Sequence, residues 1–104
     1  MTTKSQTIKN MAVLFTDIVG SSSFFKKHGN VSGRSMLRLH QDIASPLIAE
    51  FGGAVVKLLG DSIMAYFLDP GDAFKSAIKI QQKFKEYNKI RPDKDHIHIR
   101  LCVH

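Results

Sequence analysis

A chain of 104 residues, 43% hydrophobic and 23% charged, is sized for one domain with a single core, and it holds neither a repeat nor a low-complexity segment. Its apolar runs are too short to span a bilayer, its first ten residues lack the apolar stretch of a signal peptide, and its one cysteine, Cys102, excludes an intrachain disulfide, so a cytoplasmic setting is expected. The net charge of +6 admits nucleic acid, an anionic surface or a polyphosphate as partner, but the densest basic run, "KIQQKFKEYNKIRPDK", places its lysines mostly on the wet face of a predicted helix, which favours solvation over a nucleic-acid patch.

Residues 1–10 read as a flexible lead-in. The apolar run Met11 to Phe15, closing on Thr16 and Asp17, predicts a buried strand over 11–17. Gly20 turns the chain, and Ser21 to Ser23 predict a helix start, because serine side chains cap free backbone N–H groups. "KKHGNVSGRS", with its two glycines, predicts a break. From about Gly33 to Phe51, residues Met36, Leu37, His40, Ile43, Leu47 and Ile48 recur at three and four, which predicts a helix. Pro46 should kink or loosen it, and Gly52 should end it as a left-handed cap. Met36 and Met64 read as core filling.

Ala54–Leu59 and Ser62–Phe67 predict two strands joined at Gly60-Asp61. "DPGD" starts a second helix with Ala73, Ala77, Ile80, Phe84 and Tyr87 on one stripe, and "RPDKD" ends it. His96 to His104 alternates as a strand, with Ile97, Ile99, Leu101 and Val103 on one face. The order β-α-β-β-α-β predicts an α+β, ferredoxin-like fold, an antiparallel sheet with both helices on one face.

In that topology the end of the first strand approaches the turn between the second and third, so Asp17 and Asp61 become neighbours. Each has an ordinary explanation alone: Asp17 caps a turn and Asp61 is a hairpin residue. Together they repel unless a cation lies between them. Hard oxygen donors favour Mg²⁺ or Mn²⁺, and Mg²⁺ is typically held by one or two carboxylates plus substrate phosphates. The loop "DIVGSSS" suits the phosphates, since glycine permits close approach and a helix N-terminus presents N–H groups to anionic oxygens. The combination reads as a nucleoside triphosphate site.

"VLFTDIVGSS" followed by "GGAVVKLLGDSIMAYF" resembles the catalytic domain of the class III adenylate/guanylate cyclases, and "IHIRLCVH" is similar to the strand that follows in that family. The resemblance covers residues 11–104, and Lys-x-x-Gly-Asp after Gly-Gly is its most specific part. It implies conversion of ATP to 3′,5′-cyclic AMP and pyrophosphate by two-metal catalysis, with two Mg²⁺ or Mn²⁺ per site, at the interface of a homodimer. Asp17 and Asp61 match the catalytic, metal-binding aspartates, and the carbonyl of Ile18 is a further metal ligand. Ile18, Val19, Gly20, Ser21 and Ser22 match the phosphate loop, Ser22 standing where threonine is common.

Lys57 matches the purine-reading residue. A lysine there resembles the adenylate cyclases: an ammonium donates to N1 of adenine and is repelled by the N1–H of guanine. Without the resemblance Lys57 reads as an edge-strand gatekeeper. The family's domain continues well beyond the position of His104, with a second purine-reading residue, a ribose-orienting asparagine and a transition-state arginine. Arg34, Arg38, Arg91 and Arg100 do not match that arginine. Residues 11–104 are thus expected to be part of a longer cyclase, weak or inactive alone. The alternative is a non-catalytic, cyclase-like regulatory or nucleotide-binding module, against which Asp17, Asp61 and Lys57 argue. An RNA-binding ferredoxin-like domain needs an aromatic run that "MAVLFTD" and "VVKLLGD" lack, and a diguanylate cyclase needs a Gly-Gly-Asp/Glu-Glu-Phe turn that "LLGDSIM" replaces. Neither a nucleic-acid partner nor a membrane segment is expected.

Overall fold

The computed structural model describes residues 11–92 and 96–104; the expected lead-in at 1–10 and part of the expected helix-ending run, 93–95, lie outside them. The elements follow the predicted order: β1 (Ala12–Ile18), α1 (Ser21–Glu50), β2 (Ala54–Leu59), β3 (Ser62–Phe67), α2 (Pro70–Lys89) and β4 (Ile99–Val103). The strands form one sheet in the order β2-β3-β1-β4 with every pairing antiparallel. The α+β, ferredoxin-like expectation holds, and β1 lies centrally between β3 and β4.

Alternation along the strands separates two faces. Ala12, Leu14, Thr16 and Ile18 of β1, with Ile63, Ala65 and Phe67 of β3 and Ile99 of β4, are buried, and the helices close that core with Met36, Ala44, Ile48, Ala73, Ile80 and Phe84. The opposite face carries Val13, Phe15, Asp17, Met64, Tyr66, Arg100 and Cys102, half-buried or exposed. Met64 therefore departs from expectation: it pairs with Phe15 on the uncovered face, whereas Met36 is core.

Helix α1 begins at Ser21, at the expected serine start, and runs on into the stretch expected from Gly33. The expected break is absorbed by one residue, Gly29, whose φ of 85° and ψ of 175° interrupt an otherwise continuous helix. Downstream of this kink Gly33 is buried, and a Cβ there would collide with the Phe25 ring. The glycine lets the N-terminal arm of α1 fold its aromatic ring onto the following segment. Pro46 does not break the helix, and it lies at an exposed position. The end follows expectation: Gly52 has φ 83°, its N–H donates to Ala49 O at 3.0 Å, and the Gly53 N–H donates to Ile48 O at 2.8 Å, the paired bonds of a left-handed helix stop.

Gly53 leads into β2 under a tight ceiling. A Cβ there would meet the Phe67 ring at 2.5 Å and Ile48 Cγ2 at 2.9 Å, and both partners are fully buried. Gly53→Ala is expected to destabilise the fold by about 1–3 kcal/mol through overpacking. Urea denaturation checks this, and an unchanged midpoint would contradict it.

Gly60, with φ 59°, turns β2 into β3. β2 is the outer strand, and its register against β3 shifts between Val55 and Lys57, leaving Val56 as the extra residue of a bulge. Asp69 starts α2 by accepting from the Gly71 N–H at 2.8 Å, with Pro70 in the first turn. Near its other end, the Asn88 amide clamps Ile97 from both sides, donating to its carbonyl and accepting from its N–H, each at 2.8 Å. This clamp holds the segment before β4 against the helix, so the strand starts at Ile99 rather than at His96. A groove of about 1320 Å³ lies between α2 and β4, lined by Ile78, Gln81, Lys85, His98 and Leu101, and neither Asp17 nor Asp61 borders it.

Candidate active site

The two acids are brought together by main-chain bonds. Asp17 pairs in register with Ser62, the residue after Asp61, and the Ile18 N–H donates to the Asp61 carbonyl at 3.2 Å. The end of β1 is thereby fastened to the hairpin turn. The Ser21 hydroxyl, on the first residue of α1, donates to Asp61 Oδ2 at 2.5 Å. Asp17 carries a different partner: Arg100, opposite it on β4, donates through Nη2 to Asp17 Oδ2 at 3.0 Å. With side chains 72% and 34% exposed, this pair is open to water and easily exchanged. Asp17 and Arg100 border a depression of about 530 Å³ that also touches Phe15 and Ser62.

The loop expected to hold phosphates is partly committed to the fold. The Val19 N–H donates to His98 O at 2.8 Å, and that of Ile18 is used on Asp61, so both expected positions spend their donors internally. Gly20, with φ 73°, is the N-cap, and neither a side-chain cap nor a first-turn acid is present at this helix start. The expected serine cap is thus not what forms, because the Ser21 hydroxyl turns to Asp61 instead. The positive end of the first turn around Ser21 and Ser22 is therefore not offset by an acid of that turn. Lys57 lies on the same sheet face, in the row Lys57–Met64–Phe15, but two strands and two residues from Asp17, about 12 Å by sheet geometry. The structure places Asp17, Ile18, Ser21, Asp61 and Arg100 around the end of β1 and leaves Lys57 apart.

Behind the acids is a polar pair, one member of which, His40, the helical periodicity places on the apolar stripe of α1. His40 and Thr16 are both fully buried, and His40 Nε2 lies 2.7 Å from Thr16 Oγ1. Burial pushes the His40 imidazole below its ordinary pKa of 6.5, and the fields of Asp17 and Asp61 oppose that shift. The folded pKa is the lower one, so the unfolded chain binds more protons just below pH 6.5. The stability contributed by neutral His40 is complete above that pH and declines as pH falls toward the folded value. Urea midpoints at about pH 7.5 and about pH 5 should therefore differ more in the wild type than in His40→Gln, and an equal difference in both would contradict it.

The donor set suits a hard divalent cation. No three His, Cys, Asp or Glu side chains converge among the described residues, which leaves two carboxylates and a main-chain carbonyl, the kind of set Mg²⁺ takes together with substrate phosphates. A cationic group, the Arg100 guanidinium, already rests against Asp17 Oδ2.

Residues 3–104 match the profile of the family described as the adenylate and guanylate cyclase catalytic domain. The chain belongs to this family. A serine/threonine-protein kinase, pkn2, of Myxococcus xanthus is 26% identical over 96 residues, 92% of this chain but 12% of that protein. An adenylate cyclase of Lachancea kluyveri is 31% identical over 77 residues, 74% of this chain and 4% of its own length. Among solved structures, a bacterial light-regulated adenylyl cyclase shares the fold with a TM-score of 0.83 at 19% identity, covering 89% of this chain and 51% of that one. The cyclase domain described here thus spans a small part of these curated relatives and about half of that structure. No helix among the described residues is long and apolar enough to cross a membrane.

Proposed function

We propose that this chain carries the metal-and-phosphate half of a nucleotidyl cyclase site, part of a longer cyclase domain that converts ATP to 3′,5′-cyclic AMP and pyrophosphate. The observation that carries this is the placement of Asp17, the Ile18 end of β1, Ser21 and Asp61 at one end of the sheet, beside the hairpin turn. In the reaction the ribose 3′-oxygen bonds to the α-phosphorus as the bond to the bridging oxygen of the β-phosphate breaks. Asp17, Asp61 and the Ile18 carbonyl would hold two Mg²⁺ or Mn²⁺ ions. When bound, such ions supply charge neutralisation at the triphosphate and lower the pKa of the attacking hydroxyl.

The chain's own groups do the positioning. The first turn of α1, from Gly20 to Ser22, offers N–H groups and its dipole to phosphate oxygens. Arg100, released from Asp17 when that carboxylate turns to a cation, is close enough to balance triphosphate charge. Lys57 reads the purine. Its distance from the acids fits a site completed by a second copy of the domain, and the uncovered face supports one: Phe15 and Tyr66 are 36% and 37% exposed there, with Met64 between them in the ladder. Without that second copy and the rest of the domain, the chain alone is weak or inactive.

Base selection is tested through Lys57. Lys57→Glu is expected to weaken Mn²⁺-dependent ATP binding by about tenfold or more and to raise the ratio of GTP to ATP bound, since a carboxylate accepts from the N1–H of guanine. Competition with fluorescent ATP and GTP analogues reads both. An unchanged ratio would remove Lys57 from purine recognition.

A further inference from the structure

Among the described residues, the His40–Thr16 pair is the one fully buried side-chain to side-chain hydrogen bond, and the proposed chemistry does not use it. Both residues have no exposure, and His40 Nδ1 has no hydrogen-bond partner. An unsatisfied buried nitrogen is costly, and two apolar side chains would fill the same space without that cost. Three observations tie the pair to the site. Thr16 immediately precedes Asp17 on β1. His40 lies on α1, the helix whose first residue, Ser21, holds Asp61. Both carboxylates act electrostatically on the His40 ring.

The bonds form a closed circuit. Thr16 joins β1 to α1 through His40 at 2.7 Å, α1 runs back through its kink at Gly29 to Ser21, Ser21 bonds Asp61, and Asp61 bonds the Ile18 N–H on β1. A directional hydrogen bond at the middle of that circuit sets the register of the helix against the strand, which apolar packing alone leaves free to slide. We infer that His40, acting through Thr16, is a positioning residue for the two acids, holding Asp17 and Asp61 at the spacing a divalent cation needs. It touches neither substrate nor metal. The inference rests on the proposed metal reading, and its test separates the two.

The probe is Mn²⁺ alone, titrated into the full chain with free ion read by electron paramagnetic resonance. The variants are Thr16→Val, which removes the hydroxyl at constant volume, the double His40→Leu/Thr16→Val, and His40→Gln, whose amide can still reach Thr16. The expected result is a 10- to 100-fold weaker Mn²⁺ affinity in the first two, as for other partners that orient metal ligands. His40→Gln should retain affinity, and the double variant should melt no lower than Thr16→Val. Wild-type affinity in a folded Thr16→Val or double variant would overturn the inference and make the pair a filler of the core. Should the double variant fail to fold, Thr16→Val alone decides. Absence of Mn²⁺ binding by the wild type would overturn the metal reading itself, and the positioning role with it.

Discussion

Asp17→Ala is expected to reduce Mn²⁺ affinity by on the order of 10³-fold while leaving the fold nearly as stable as before. Two unit charges 4 Å apart at an effective dielectric of about 20 attract by about 4 kcal/mol, and a divalent ion on a carboxylate loses at least that when the carboxylate is removed. Stability has little to lose. Asp17 is on the uncovered face, its hydrogen bond to Arg100 is exposed, and exposed ion pairs contribute about 0–1 kcal/mol. Its backbone, which carries the ladder to β3 and β4, is unchanged. Mn²⁺ titration beside a thermal melt separates the two effects. A variant that melts far lower would mean that Asp17 is structural, and one that still binds Mn²⁺ as the wild type does would remove it from the metal site.

Phe67→Ala is expected to be the most damaging core change, at about 3–5 kcal/mol. Phe67 is 1% exposed, closes β3 opposite Ala12, and covers Gly53 together with Ile48. Removing the ring opens a void where the helix stop, β1 and β3 meet. The void cannot collapse, because the backbone at Gly53 is pinned by its bond to Ile48 O. For a domain whose whole stability is expected to be about 5–15 kcal/mol, this removes a large share. With a urea slope of about 1–3 kcal/mol per molar, the midpoint should fall by about 2 M. A fall corresponding to less than about 1 kcal/mol would show that the ring is not packed as described.

Much of the site was legible because two independent patterns agreed. Apolar runs ending in Asp17 and in Gly60-Asp61 gave the strands, and the β-α-β-β-α-β order placed their ends together. What escaped was set by tertiary register. Arg100 alternates to the same face as Cys102 in "IHIRLCVH", but its place beside Asp17 depends on the β1–β4 register, which no local pattern encodes. The helix start at Ser21 was legible, but the extent of the break was not: one glycine, Gly29, absorbs the whole interruption that "KKHGNVSGRS" advertises, and the second glycine, Gly33, serves packing under Phe25 instead. Ser21 reads locally as a cap, and only the proximity of the hairpin turn gives its hydroxyl the stronger, charged acceptor in Asp61. His40 falls on the helix stripe like any packed histidine. Its tie to Thr16 exists only once α1 lies on β1.

The most direct test of the central claim is ATP binding by the chain in Mn²⁺ and in EDTA, by calorimetry, with Asp61→Ala as the companion. Asp17, Ile18 and Asp61 acting as one cation site for a triphosphate predicts ATP binding that needs Mn²⁺ and is lost in Asp61→Ala. ATP bound equally well in EDTA, or by Asp61→Ala in Mn²⁺, would contradict it.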